Sequence, residues 1–367
     1  MKTAKKRIIV SVTNDLVSDN RVHKVCSSLK KTGFDVLLVG RKLPHSLDVK
    51  RYYSTKRMKL FFKKGPCFYT EYNFRLFVLL LFAKCDILLA NDLDSLPANY
   101  LASRCKSKTL VYDSHEYFTQ VPELINRPRV QKIWERIERM ILPKVKHAYT
   151  VCDSIANVYR EKYGVDFKVV RNLPLSQKTI ESTPFSGSKM ILYQGAVNMG
   201  RGLEQAIRAM HHIDDAKLVI AGDGDIRIQL QELVVSEKLE DKVKFKGRLP
   251  LEELAKLTAQ ADLGLSIEED LGLNYRYALP NKLFDYIQAR VPVLVTDLPE
   301  MAAIVNQYKV GAMTHSLEPE VLAQNIQNAL NDQAKRKEWK AYLSEAAADL
   351  IWEKEEKIIQ EIFSAFL

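Results

Sequence analysis

The chain has 367 residues, too many for one ordinary core and suited to two domains of moderate size. Its 47% apolar and 27% charged content is that of a globular protein. Its five cysteines (Cys26, Cys67, Cys85, Cys105, Cys152) form no close pairs, which argues against a disulfide framework or a zinc site and for a reducing, cytosolic compartment. The net charge of +10 is uneven: residues 1–173 hold 33 Lys+Arg against 16 Asp+Glu, and the remainder holds 22 against 29.

In chain order, the basic "MKTAKKRIIVSV" lacks the long apolar stretch of a signal peptide and runs into a first strand, "RIIVSVT". A helix from about Asn20 to Thr32 and a strand "DVLLVG" follow. The densest basic segment comes next, with Lys56, Arg57, Lys63 and Lys64 interleaved with aromatics that include Phe61 and Phe62. That mixture favours contact with an anionic membrane surface, although the same run reads equally as a solvated face over a core helix. The apolar run Leu76 to Ala83 is too short to span a bilayer. Then come "DILLAND", a helix near Ser95 to Ser103, "TLVYDSHE", an amphipathic helix Pro128 to Ile141, "HAYTVCDS" and "FKVVRNLP".

Residues 174–188 are polar and aperiodic with two prolines, the composition of a linker. Strand and helix patterns then alternate again from "MILYQGA" to "VGAMT", and a last helical stretch closes the chain. The alternation predicts an α/β protein of two Rossmann-like, doubly wound domains facing a cleft. The expected divisions are a first domain, 1–173; the linker, 174–188; a second domain, 189–345; and a closing helix, 346–367, packing back towards the first domain.

The first strand is not followed by Gly-x-Gly-x-x-Gly, which counts against an NAD enzyme. Asn14, Asp19 and Arg21 follow it and are candidates for an acceptor edge, with ordinary capping as the plain alternative. In the second half, Gly195, Gly200 and Gly202 permit unusual dihedrals between strand and helix, and Arg201 stands where the helix begins, a good diphosphate clamp. The turn "IAGDGD" places Gly222 and Gly224 where a base or ribose can meet backbone. "PNKLFDYIQARVPVLVTDLPEM" opens a helix with Asn281, Lys282, Leu283 and Asp285, an anion and hydroxyl site at a sheet edge.

Taken in order, "DNRVHKVCSSLKKTGFDV", "VYDSHEYF", "ILYQGAVNMGRGLEQAI", "LVIAGDGD", "VKFKGRLPLEELAKLTAQADLGLS" and the Pro280–Met301 stretch resemble the retaining glycosyltransferases of family 4, which have the GT-B fold. The resemblance implies that Asp285 bonds the donor ribose and that His115, at a strand end, faces the donor sugar with Glu116 beside it. Two positions depart from the family pattern: Tyr277 stands where a first glutamate is usual, and Ala196 replaces a basic residue. Glu268, Glu269 and Asp270 are candidates to replace the missing carboxylate, and Lys282 to replace the missing cation.

The resulting expectation is a hexosyl transfer from a nucleotide diphosphate sugar to a glycan hydroxyl, with retention implied by the resemblance and neither a metal nor another cofactor. Its acceptor is a lipid-linked glycan of capsule or lipopolysaccharide type, on the inner face of the cytoplasmic membrane. The alternatives are a sugar-nucleotide 2-epimerase and a non-catalytic scaffold of the same fold. No nucleic-acid motif is present.

Overall fold

The computed structural model describes residues 5–17, 19–125, 127–176 and 187–367, so most of the expected linker, 177–186, lies outside the described residues. The chain divides into two compact units, residues 1–172 with 354–367, and residues 173–353.

Unit 1 is built on a seven-stranded sheet. Its strands are β1 (Arg7–Ser11), β2 (Asp35–Lys42), β3 (Ser54–Lys59), β4 (Ile87–Asn91), β5 (Thr109–Ser114), β6 (His147–Thr150) and β7 (Lys168–Val169). Their spatial order is β3-β2-β1-β4-β5-β6-β7, and every neighbouring pair is parallel. Both faces of such a sheet are covered, and β4 accordingly reads Ile-Leu-Leu-Ala-Asn with all five residues buried. The strand order reverses between β1 and β4, the topological switch point at which open α/β sheets bind ligands.

Three helices matter for the unit 1 site. Helix α1 (Asn20–Thr32) is capped by Asp19, whose side chain accepts from the Val22 amide at 2.9 Å, and it ends on Gly33 in the left-handed region. Helix α2 (Gly65–Phe82) starts with a proline in its first turn and is more than twice as long as the apolar run that marked it in the sequence. Helix α3 (Asp92–Lys106) begins three residues earlier than expected and carries Pro97 inside it. Asn73 of α2 repairs that interruption: its Nδ2 donates to the Asp94 carbonyl and its Oδ1 accepts from the Ala98 amide, at 2.8 and 3.1 Å.

Unit 2 repeats the plan with six strands: β8 (Lys189–Gln194), β9 (Ala216–Ala221), β10 (Val243–Gly247), β11 (Leu263–Ser266), β12 (Val293–Thr296) and β13 (Gly311–Thr314). Their order is β10-β9-β8-β11-β12-β13, again all parallel, with the switch point between β8 and β11. The two Rossmann-like sheets predicted from the alternating pattern are thus present.

The segment 346–367 is not one helix. A helix Gln333–Asp349 stops, and Trp352–Ser364 starts after a break at which the Trp352 amide donates to the Pro174 carbonyl at 2.7 Å. Residues 354–367 belong to unit 1, where Glu356 accepts from Ser28 and Lys31, Glu355 from the Arg171 amide, and Phe363 meets Phe34 edge-on. Among the described residues no helix is long and apolar enough to cross a membrane.

Candidate functional site

In unit 2 the switch point gathers the residues that carry charge. The turn after β8 supplies Arg201, the segment after β11 supplies Glu268, and the first turn of the helix Asn281–Gln288 supplies Lys282. Glu268 is fully buried; its Oε1 accepts from Lys282 Nζ at 2.7 Å and meets Arg201 Nη1 at 3.4 Å, while its Oε2 accepts from Ser266 Oγ at 3.0 Å. Burial alone pushes this carboxyl up, but Lys282 and Arg201 outweigh it and hold the group below the usual carboxylate range. One anion between two cations leaves a net positive charge. Arg201 keeps 26% of its side chain exposed and Lys282 7%, so the arginine offers the more open edge to an incoming anion.

Aromatic rings fix both cations. The Lys282 ammonium sits 4.1 Å from the centroid of Tyr193, and the Arg201 guanidinium 5.4 Å from that of Tyr275, whose hydroxyl donates to the Met199 carbonyl at 2.8 Å. Asp285 is oriented by a buried chain: Thr258 Oγ1 donates to Gln194 Oε1 at 2.6 Å, and Gln194 Nε2 donates to Asp285 Oδ2 at 3.0 Å. Asn281 is exposed at the start of the same helix. Leu283, expected to touch the donor, has its side chain fully in the core, because a helix turns its third residue away from the face that carries Lys282.

The glycines have a structural reason of their own. The register sets Gln194 beside Ala221, so Gly195 and Gly222 follow side by side. A Cβ on Gly222, whose φ is +150°, would lie 1.8 Å from the Gly195 carbonyl oxygen. Gly224 presses in the same way on Val197 and Asn198. Gly222→Ala is expected to cost about 2–4 kcal/mol of stability, measured by denaturant unfolding, because backbone strain and overlap act together.

In unit 1 the switch point gathers a second set. The register of β4 with β5 puts Asn91 opposite Asp113, which brings Asp92 and His115 together just beyond the strand ends. His115 Nδ1 lies 3.2 Å from Asp92 Oδ2 and Nε2 lies 3.1 Å from Asp113 Oδ2, while the His115 amide donates to Asp92 Oδ1 at 2.8 Å. Burial works against a charged ring, but Asp92 and Asp113 outweigh it and push His115 up to about 9. Both ring nitrogens of His115 thus face carboxylates, with Asn91 Oδ1 also 3.1 Å from Nε2, an arrangement that favours the charged ring. Burial pushes Asp92 itself up to about 7 against the pull of His115, and Asp94 likewise to about 7 with Asp92 adding to the effect. Asp92 holds a φ of 58°, a strained value for a non-glycine residue, and the network around it keeps that geometry.

Arg21, expected at an acceptor edge, is buried instead. It forks onto Asp113 at 2.8 and 3.3 Å and donates to the Val170 carbonyl at 2.8 Å, so its charge supports Asp113 from within. Asn14 donates to Asp19 at 2.5 Å and accepts from the Leu16 amide, which makes this pair the scaffold of the β1–α1 loop. Glu116 is half-buried beside His115. Lys56, Phe61, Phe62, Lys63 and Lys64 are exposed and Arg57 half-buried, all of them on the β3–α2 segment rather than near His115. Among the described residues no group of three or more His, Cys, Asp or Glu has the arrangement to hold a metal ion.

Comparison with known proteins decides the family. Residues 19–174 match the Glycosyltransferase Family 4 model and residues 176–345 the Glycosyl transferases group 1 model, which together span both units. The chain belongs to the family-4-like GT-B glycosyltransferases. This glycosyltransferase-family chain is 28% identical to the O-antigen chain mannosyltransferase RfbU of Salmonella typhimurium over 182 residues, 46% of this chain and 48% of the relative. The matches span about half or less of the curated relatives' own lengths, 36% in one case and 48% in the other. The fold superposes on sucrose-phosphate synthase from Thermosynechococcus elongatus with a TM-score of 0.81 at 16% identity, covering 98% of this chain and 100% of the other. It also superposes on Anabaena HepE in complex with UDP-glucose, with a TM-score of 0.73 at 14% identity, covering 98% and 100%.

Glu268, Gln194, Tyr193 and Asp92 take part in these sites without having been singled out as site residues by the sequence, apart from Glu268 as one of three candidate acids. The only available signal was position, since each lies at or just beyond the carboxyl end of a strand flanking a switch point.

Proposed function

We propose that this chain is a nucleotide-sugar-dependent glycosyltransferase that moves a hexosyl group to a hydroxyl of a lipid-linked glycan with retention of configuration. The observation that carries the reading is the Arg201–Glu268–Lys282 cluster at the switch point of unit 2. A departing nucleoside diphosphate needs fixed positive charge, and two cations held by one buried carboxylate supply it without reorganisation. In this reading no metal is required for leaving-group stabilisation. Asp285, held by Gln194, takes the ribose hydroxyls; Asp92, held by charged His115, takes a sugar or acceptor hydroxyl in unit 1. HepE was solved with UDP-glucose and RfbU is named an O-antigen chain mannosyltransferase, which supports a nucleotide-sugar donor and a surface-polysaccharide acceptor. The work site is the cytoplasmic face of a membrane, where such acceptors stand.

The test is product analysis with candidate nucleotide sugars and a polyprenyl diphosphate glycan fraction. The expected result is an extended glycan whose new bond keeps the donor's anomeric configuration. Release of an epimerised free sugar without acceptor would replace this reading with that of a 2-epimerase, and inversion at the anomeric carbon would contradict retention.

A further inference from the structure

The face of unit 1 formed by β3, helix α2 and the loop between them is an apolar surface set in positive charge. Strand β3 is the sheet edge, and beside it α2 turns Phe74, Val78 and Phe82 outward, one above another at four-residue spacing, exposed by 66%, 38% and 85%. A groove of about 910 Å³ runs between strand and helix, floored by Met58 and Leu79 and rimmed by Lys56 and Lys59. The loop adds Phe61 and Phe62, exposed by 84% and 52%. Both rings stand out from the surface.

Glu71 holds the loop that carries them. Its carboxylate accepts from the amides of Phe61 and Phe62, each at 2.9 Å, and from Arg75 Nε at 2.8 Å, and the Arg75 guanidinium lies 5.0 Å from the Phe61 ring centroid. Between residues 51 and 85 there are eight Lys or Arg and a single acid, Glu71, whose charge is already occupied. An apolar row surrounded by unopposed cations matches the boundary between phosphate headgroups and acyl chains.

We propose that this face inserts into an anionic phospholipid bilayer, with α2 lying in the interface plane and Phe61 and Phe62 as a wedge, and that Glu71 is the positioning residue that presents the wedge. The proposal rests on the surface of unit 1 alone and is independent of the donor site.

The experiment is cosedimentation of the full chain with vesicles of phosphatidylcholine alone or with about 30 mol% phosphatidylglycerol. The wild type is expected to bind the anionic vesicles and to leave the neutral ones. Phe61→Ser/Phe74→Ser/Phe82→Ser is expected to weaken that binding at least about tenfold, and Glu71→Gln several-fold, with unfolding midpoints and nucleoside diphosphate affinity unchanged. Phe61→Trp is expected to be quenched by lipids brominated near the headgroup. Absence of wild-type binding to anionic vesicles overturns the proposal. So does full binding by the triple serine variant together with loss in Lys56→Gln/Lys63→Gln/Lys64→Gln, which means adsorption by charge alone, and so does capture of a protein partner by this face without vesicle binding. Each of these leaves the donor reading standing, because nucleoside diphosphate affinity is read separately.

Discussion

Glu268→Gln is expected to destabilise unit 2 by about 3–5 kcal/mol, because it leaves the buried Lys282 ammonium without its counter-charge. For a unit of this size that corresponds to a fall in Tm on the order of 10 °C. The amide still accepts one hydrogen bond and fills the same space, so packing does not account for the loss. If the cluster is an anion site, saturating nucleoside diphosphate should restore more of the Tm in Glu268→Gln than in wild type, since phosphate replaces the missing charge. Glu268→Gln/Lys282→Met should recover much of the stability, because no unpaired charge stays buried, and should lose diphosphate binding. Equal Tm values for wild type and Glu268→Gln would show that the carboxylate does not hold the cations.

The second large effect is expected at Asp113. This fully buried carboxylate serves Arg21 and His115 at once, so Asp113→Asn should cost unit 1 about 3–5 kcal/mol. It also predicts a pH dependence. The folded-state pKa of His115 is raised to about 9 from 6.5, so its contribution is complete below about 6.5 and disappears as pH rises through 9. A shift of that size corresponds to about 3 kcal/mol. Asp92, raised from 3.8 to about 7 by burial, adds a separate fall at lower pH: its contribution is complete below about 3.8 and is lost as pH rises through 7. Asp113 itself is held low, after Arg21 and His115 outweigh its burial, and its contribution disappears only on acidification. Unfolding midpoints of unit 1 should therefore fall between pH 6.5 and 9.5, and His115→Asn should flatten that fall. A wild-type profile that is flat over this range would contradict the clamped-imidazolium geometry.

The fold was largely legible because parallel strands buried on both faces leave continuous apolar runs such as "ILLAN" and "RIIVS", and their spacing leaves room for crossover helices. Arg201 and Lys282 were legible for a related reason: each is a cation at the junction of a strand-end turn and a helix start. Glu268 was not distinguishable from Glu269 and Asp270, since three consecutive acids have no periodicity. Only the fold separates them, with Glu268 drawn inside by its cations and Asp270 left outside to pair with Arg276. Arg21 misled because a first-turn arginine looks exposed, and its partner lies 92 residues away on β5. The Glu71 contacts to Phe61 and Phe62 are invisible for the same reason, since a side chain reaching back to loop amides leaves no pattern.

The central claim is that Arg201 and Lys282 form one diphosphate site, and isothermal titration of UDP, GDP and ADP into wild type, Arg201→Ala and Lys282→Ala tests it most directly. One diphosphate is expected to bind the wild type, and each alanine variant to bind it about 10- to 100-fold more weakly, the worth of a charged hydrogen bond to phosphate. Binding of none of the three, or wild-type affinity in both variants, would contradict it.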